Sequence, residues 1–351
     1  MSTAATPVFA LAGRDQDSYG YAPRRPTQPA MSGLALKFAI TAAAVIVATV
    51  AGYLCRRRRW VAESAGESIM TFVAVFGYPS VGFLSVWGTT LHPSDAVLPV
   101  MAAAHAVVML FVSLAVAGWL TQDRKERGLF ALAGGVGNNG FTMGAFVLYL
   151  LYGEPGLGLA NIYVLLFMPV VVLGMYPLAR HYATEQPSGS LTTLMARSVL
   201  DWRSVGLPVI FAAIALSALG VSRPPQVSEY RIVDVLVYTI TPLAFFGIGL
   251  RLHFSRVLPL WRLLVGLALV RFGLCAAVGL GLAAVTWLTP WPIRDLRWNV
   301  YVIQAFVPTS VTMVAVANMF GLHPREASVL FVVNTAMYLV MVLPVILRVF
   351  G

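Results

Sequence analysis

Apolar residues in this chain do not alternate with polar ones at a strand period or gather on one helical face. They run together in stretches of 17–26 residues, separated by short polar segments rich in arginine. A helix rises about 1.5 Å per residue and a bilayer core is about 30 Å thick, so each stretch is long enough to span it. The pattern predicts ten transmembrane helices at 34–55, 68–89, 95–119, 129–152, 157–179, 205–221, 232–250, 264–289, 298–320 and 327–350. Pro208 and Pro242 interrupt the sixth and seventh. Residues 1–33 are polar, rich in Pro, Ser, Thr and Gly, and read as a disordered tail, with Met31 as an alternative start. No cleavable leader is expected, because the heaviest basic cluster follows the first apolar run instead of preceding it.

Composition agrees. Of 351 residues, 59% are hydrophobic and 11% charged, against about 45–50% and 25% in soluble domains, and mean hydropathy is +0.80. So few charges cannot cover an aqueous surface, so the fold class is an all-α polytopic membrane protein. The net charge of +10 comes from 22 Arg and 2 Lys. These fall in clusters between apolar runs, a topology signal and a lipid contact rather than a nucleic-acid face. Fourteen basic residues occupy the odd-numbered loops, Arg56–Arg59 foremost, against four in the even-numbered ones. The odd loops are therefore expected to be cytoplasmic and both termini outside, in a plasma membrane or bacterial inner membrane. Glu63 and Glu67 are expected to balance the Arg56–Arg59 cluster, and His92 and Asp95 to be solvated in an external loop.

The spans repeat. Positions 34 and 205 open matching runs, an offset of 171, and the interruptions at Asn138 and Pro308 differ by 170. Tyr152-Gly153 and Phe320-Gly321 differ by 168, and Pro177 and Pro344 by 167. Four landmarks at nearly one offset predict two five-helix repeats, 34–180 and 205–351, joined by a cytoplasmic linker at 181–204. Five is odd, so the second copy is inverted in the membrane, an arrangement typical of secondary transporters. A duplicated structural protein would show the same offset, but it would not need both copies broken at mid-span.

Those breaks hold the candidate chemistry. The fourth span carries four glycines and two asparagines within 134–140, and the ninth carries Gln304-Ala305-Phe306-Val307-Pro308-Thr309-Ser310. Glycine costs about 1 kcal/mol relative to alanine in a helix, and proline removes a donor. Unpaired backbone survives in a bilayer only where protein or a water-filled cavity receives it. Crossed broken helices would turn half-helix N-termini toward a shared cavity and favour an anion. The candidate binding set is Asn138, Asn139, Gly140, Gln304, Pro308, Thr309 and Ser310. Each break alone reads as a packing seam or a kink, and their matched positions favour a site. Three further polar residues lie within spans. His105 is a proton-linked group or a helix–helix hydrogen bond. Arg271 costs about 2.5–3.5 kcal/mol at a helix centre, so it pairs inside the protein, snorkels or attracts anions. Asp234 is a candidate partner for Arg271 or a proton site. The chain has no H-E-x-x-H, P-loop or C-x-x-C, and no enzyme, metal site or cofactor is expected.

These motifs resemble the auxin efflux carrier family, which includes plant auxin exporters and bacterial organic-acid carriers. The resemblance runs through Gly52-Tyr53-Leu54 and its basic cluster, then Lys125-Glu126-Arg127-Gly128 leading to GNNGF, with Met143-Gly144 and Leu151-Tyr152-Gly153 following. In the second half it rests on Gln304-Ala305-Phe306-Val307-Pro308, Phe320-Gly321-Leu322-His323-Pro324 and Leu343-Pro344. It covers about residues 34–350. The family's proline seven residues after the asparagine is Phe146 here. The resemblance implies a scaffold of spans 1, 2, 6 and 7, and a body of spans 3–5 and 8–10. That body would carry a small organic anion, a carboxylate, in elevator fashion, and a homodimer would form through the scaffold. Two alternatives are a transporter-fold sensor that binds an acid without moving it, and a carrier like the bile-acid sodium symporters.

Overall fold

A computed structural model of the chain describes residues 29–88, 93–140, 142–184, 191–253 and 257–350. The described residues are helical throughout, apart from loops and one isolated antiparallel bridge. In chain order the helices are α1 (Pro29–Arg57), α2 (Ala65–Trp87), α3 (Ser94–Leu120), α4 (Arg124–Gly135), α5 (Gly144–Gly153), α6 (Pro155–Ala183) and α7 (Leu191–Val199). The second half adds α8 (Gly206–Ala218), α9 (Ile232–Arg251), α10 (Trp261–Thr286), α11 (Asp295–Ala305), α12 (Val311–Phe320) and α13 (Pro324–Phe350). Six of these, α2, α3, α6, α9, α10 and α13, are long and apolar enough to cross a membrane. Residues 1–28 of the expected tail lie outside the described residues, while 29–33 belong to α1.

The prolines act differently from expectation. Pro208 lies in the first turn of α8, where a missing amide donor costs nothing, and α9 runs unbroken through Pro242. Three others sit just after widened π-type turns. Val73–Gly77 precedes Tyr78-Pro79, Val171–Met175 precedes Tyr176-Pro177, and Tyr338–Val342 precedes Leu343-Pro344. A proline ring collides with the carbonyl four residues back, which falls inside the widened turn in each case, so the bulge accommodates it without ending the helix. A fourth such turn, Val270–Leu274, has no proline and carries Arg271.

The helices pack in two groups. The first is α1, α2, α8 and α9, with α1 laid along α9 and α2 against α8 and α9. The α1–α9 approach is backbone to backbone: a methyl group at Gly249 would collide with the Thr49 carbonyl oxygen, and one at Gly52 with that of Phe246. The second group is α3–α6 and α10–α13, in which α3 packs on α4, α11 on α5 and α10, and α13 on α10 and α12. The groups meet where α12 lies on α2 and α13 on α9, and the rings of Phe245 and Phe331 pack there in a tilted contact with centroids 5.6 Å apart. The largest apolar core draws on both, including Met70 and Phe245 from the first and Met109, Phe130 and Val314 from the second.

At the helix ends, Asp95 departs from the expectation of solvation. It is 3% exposed and pairs with Arg297 at 3.1 Å, joining the start of α3 to α11. His92 lies outside the described residues. Glu63 does balance Arg56, at 3.9 Å, but its shortest contact is Arg325 at 2.5 Å, and His253 approaches at 3.3 Å. Glu67 pairs with Arg251 at 3.4 Å.

Candidate functional site

The helical path breaks at both expected places. Between α4 and α5 the chain is extended from Val136, and α5 restarts at Gly144. Between α11 and α12 it unwinds over Phe306–Thr309 and restarts at Val311, with Ser310 as cap. Phe146 falls in the first turn of α5, downstream of the break, so the interruption at 136–143 needs no proline there.

The two unwound segments cross and pair. Gly137 and Thr309 form an antiparallel bridge, in which the Asn138 amide donates to Pro308 O at 2.8 Å and the Ser310 amide to Val136 O at 3.0 Å. Each segment thus satisfies backbone groups that the other would leave bare at membrane depth. Side chains reinforce the crossing. Asn139 Nδ2 donates to Gln304 O at 3.0 Å and to Gln304 Oε1 at 2.9 Å, and Gln304 Nε2 donates back to Asn139 O at 3.0 Å. Gly144 leaves the room for this pair, because a methyl group there would strike Gln304 Oε1. The Thr309 amide donates to Asn334 Oδ1 at 2.9 Å, tying α13 to the crossing.

Two cavities flank the crossing. The larger, about 130 Å³, lies between the helix groups. Its walls include Asn138, Asn139, Gly140, Thr142 and Ser310–Thr312 from the crossing, Tyr78 and Ser85 from α2, and Thr241 from α9. Phe167, Met168, Ile210 and Ile240 add an apolar lining. The N-terminal end of α12, its electropositive end, borders it with Val311 and Thr312, and the segment leading into α5 borders it as far as Thr142. Asn138 is 2% exposed, and its Nδ2 has no hydrogen-bond partner, nor does the buried Tyr78 hydroxyl. The smaller cavity, about 30 Å³, is bordered by Gly135–Gly137, His105, Tyr163, Arg271, Cys275 and Gln304.

Of the seven residues expected to bind, Asn138, Asn139, Gly140 and Ser310 line the larger cavity, and Gln304 lines the smaller. Pro308 and Thr309 line neither, and serve instead as backbone of the bridge. Asn139 is committed to Gln304, and Ser310 Oγ caps α12 by accepting from the Thr312 amide at 3.1 Å. Asn138 is the one of the seven that offers an unpartnered nitrogen beside the larger cavity. Tyr78, Thr142, Asn161 and Thr241 were not anticipated, since nothing in their local sequence separates them from other span residues.

The intramembrane ionisable residues separate clearly. His105 Nε2 lies 2.9 Å from Cys275 O and 3.4 Å from its sulfur, a contact between α3 and α10. Asp234 is not the partner of Arg271: it pairs with Arg231 at 2.8 Å at the exposed start of α9. Arg271 is 1% exposed and donates to backbone carbonyls, Val307 O at 2.6 and 3.2 Å and Gly134 O at 3.2 Å.

A family model described as a membrane transport protein matches residues 38–347, nearly the whole described chain and both broken helices. The chain belongs to the auxin efflux carrier/membrane transport protein family. It is a multi-pass membrane transporter, of a family that is not enzymatic. No curated protein matches it.

Proposed function

We propose that the chain is a secondary transporter of small organic anions, carboxylates, that binds its cargo in the larger cavity at the crossing. One observation carries this reading: the N-terminal end of α12 and the segment leading into α5 border the same cavity as the unpartnered, buried Nδ2 of Asn138. Helix N-termini and a free amide nitrogen are anion ligands, and an unsatisfied buried donor costs about 1–3 kcal/mol until something accepts from it. A cavity near 150 Å³ takes a benzene-sized guest. This cavity, at about 130 Å³, suits an acid of a few carbons.

In this reading the chain is ten membrane-crossing segments arranged as two inverted five-helix repeats, with α4–α5 and α11–α12 each forming one broken span. The offset of 167–171 between sequence landmarks supports it, as do the paired bulges at Val171–Met175 and Tyr338–Val342. The group α1, α2, α8 and α9 is the scaffold, and the remainder is a body that slides against it as an elevator. A cavity lined by both groups is where such a movement would expose cargo to each side in turn. The excess of arginine in the odd loops supports an orientation with both termini outside, and the membrane in this reading is a plasma membrane or bacterial inner membrane.

The test is transport current from purified protein in proteoliposomes on a solid-supported membrane. Malate, malonate, lactate and indole-3-acetate would be tested with and without pH or sodium gradients. A saturable current for one acid is expected, and Asn138→Ala should weaken its binding by about 1–3 kcal/mol, roughly 5- to 150-fold. Thermal stabilisation by an acid without current would make the protein a sensor. Neither current nor stabilisation with any acid would refute the anion site.

A further inference from the structure

Arg271 is a fully buried cation with no acidic partner among the described residues. Its hydrogen bonds go to the carbonyls of Val307 and Gly134, one from each unwound or terminal segment of the crossing. Among the described residues no ion pair joins an acid to Arg271, and no acid lines the smaller cavity beside it. The other ionisable side chains around the smaller cavity are His105, Tyr163 and Cys275, and none of these is a carboxylate. The carbonyls belong to the electronegative C-terminal side of α4 and to the segment just past α11. They orient and partly screen the guanidinium, but dipoles do not cancel a formal charge. A buried charge normally has a counter-ion, and one inside a membrane protein that lacks it marks a function.

We propose that the missing counter-ion is the cargo, and that Arg271 gives the site one unit of positive charge for a singly charged anion to neutralise. This rests on the anion reading above and adds the valence of the substrate. The polarity of the crossing fits. The N-terminal end of α12 and the segment leading into α5 border the larger cavity, and Arg271 holds the opposite, carbonyl-rich side beside the smaller one. The two cavities share Gly137 and Asn139 as wall, so the guanidinium stands one layer of chain behind the anion. Among the described residues no Lys, Arg, Asp or Glu lines the larger cavity, which leaves a second negative charge on the cargo without a partner. Loaded with a monoanion, the crossing is electroneutral. Empty, it carries one positive charge through the low-dielectric interior, and its return is the step that feels the membrane potential.

Wild-type protein tests this without any substitution. In proteoliposomes, lactate and indole-3-acetate (singly charged at pH 7.5) are compared with malonate and malate (doubly charged) at equal ionic strength. The monoanions should bind at least tenfold more tightly. Net flux of the bound acid should change with an imposed potassium–valinomycin potential, whereas exchange of the same acid on both sides should not. R271Q should weaken monoanion binding at least tenfold, while R271K, which keeps the charge but not the fork, should stay within about threefold. Tighter binding of dianions, exchange as potential-sensitive as net flux, or full affinity in R271Q overturns the assignment. Equal losses in R271K and R271Q overturn it too, since they would mark a purely positional role. If wild type binds no acid at all, the anion site fails and this proposal with it. If it binds acid but ignores R271Q, only the counter-ion assignment fails.

Discussion

Removal of the Asn139 carboxamide tests whether Asn139 is a tie across the crossing and not a ligand donor. Asn139→Ala deletes two hydrogen bonds, to Gln304 O and Gln304 Oε1, and strands Oε1 of a residue that is 1% exposed. Hydrogen bonds between membrane helices average about 0.6 kcal/mol and reach about 1.7, and a stranded buried acceptor adds about 1–3. The expected loss of stability is therefore about 2–4 kcal/mol. Gln304→Ala removes the bond to Asn139 O and the shared Nδ2–Oε1 bond, but leaves Asn139 Nδ2 its bond to Gln304 O. It should cost somewhat less. Only the side-chain-to-side-chain bond is common to both deletions, so a double-mutant cycle should give a coupling of about 1 kcal/mol. Unfolding of the four proteins would be followed by SDS titration in mild detergent. Asn138→Ala serves as the contrast, because its Nδ2 contributes to no internal bond and its Oδ1 only accepts from the nearby Thr142 hydroxyl, within one segment of the crossing. It should cost one hydrogen bond, about 1 kcal/mol or less and well below Asn139→Ala, while weakening acid binding. Additive single variants, or an Asn139→Ala protein as stable as wild type, would refute the crossing tie.

Other predictions rest on separate features. Gly249→Ala forces α1 from α9 at the Thr49 carbonyl and should destabilise the protein by about 1–3 kcal/mol, read as an earlier unfolding midpoint; an unchanged midpoint would mean the helices do not pack this closely. Burial raises the Glu63 carboxyl, but the hydrogen bonds and charge of Arg325, with His253, outweigh it and hold the group below its ordinary value. Its stabilising contribution is then complete above the unfolded value, near 4.5, and is lost as pH falls through the lower folded one. Unfolding midpoints of wild type and Glu63→Gln should differ above about pH 5 and converge in stronger acid, and parallel curves would contradict the pairing. With Cys55 and Cys275 replaced, a cysteine at Gln122 should be protected from impermeant thiol reagents in intact cells, and labelling from outside would invert the topology.

Much of the fold was legible because membranes impose local rules. Long apolar runs mark spans, arginine marks loops, and a cluster of Gly and Asn or a proline at mid-span marks a place where helix is costly. The two breaks at 136–143 and 306–310 could be read for that reason, and they bound the cavity proposed here as the site. Prolines were harder to read. Pro208 and Pro242 looked like interruptions, yet a first-turn position and an unbroken α9 absorb them, while widened turns absorb Pro79, Pro177 and Pro344.

What tertiary structure alone decided is how each polar side chain is used. Asn138 and Asn139 are neighbours of one type, but in an extended segment successive side chains point apart. Both border the larger cavity, but Asn138 leaves its Nδ2 free beside it, while Asn139 spends its own on Gln304, 165 positions away. Arg271 binds carbonyls 36 and 137 residues distant, and Asp95 is buried against Arg297 at a separation of 202. Sequence determined where backbone order breaks, since the cost of breaking it is local. Partners chosen across the crossing depend on two segments meeting, and no window of neighbouring residues contains that information.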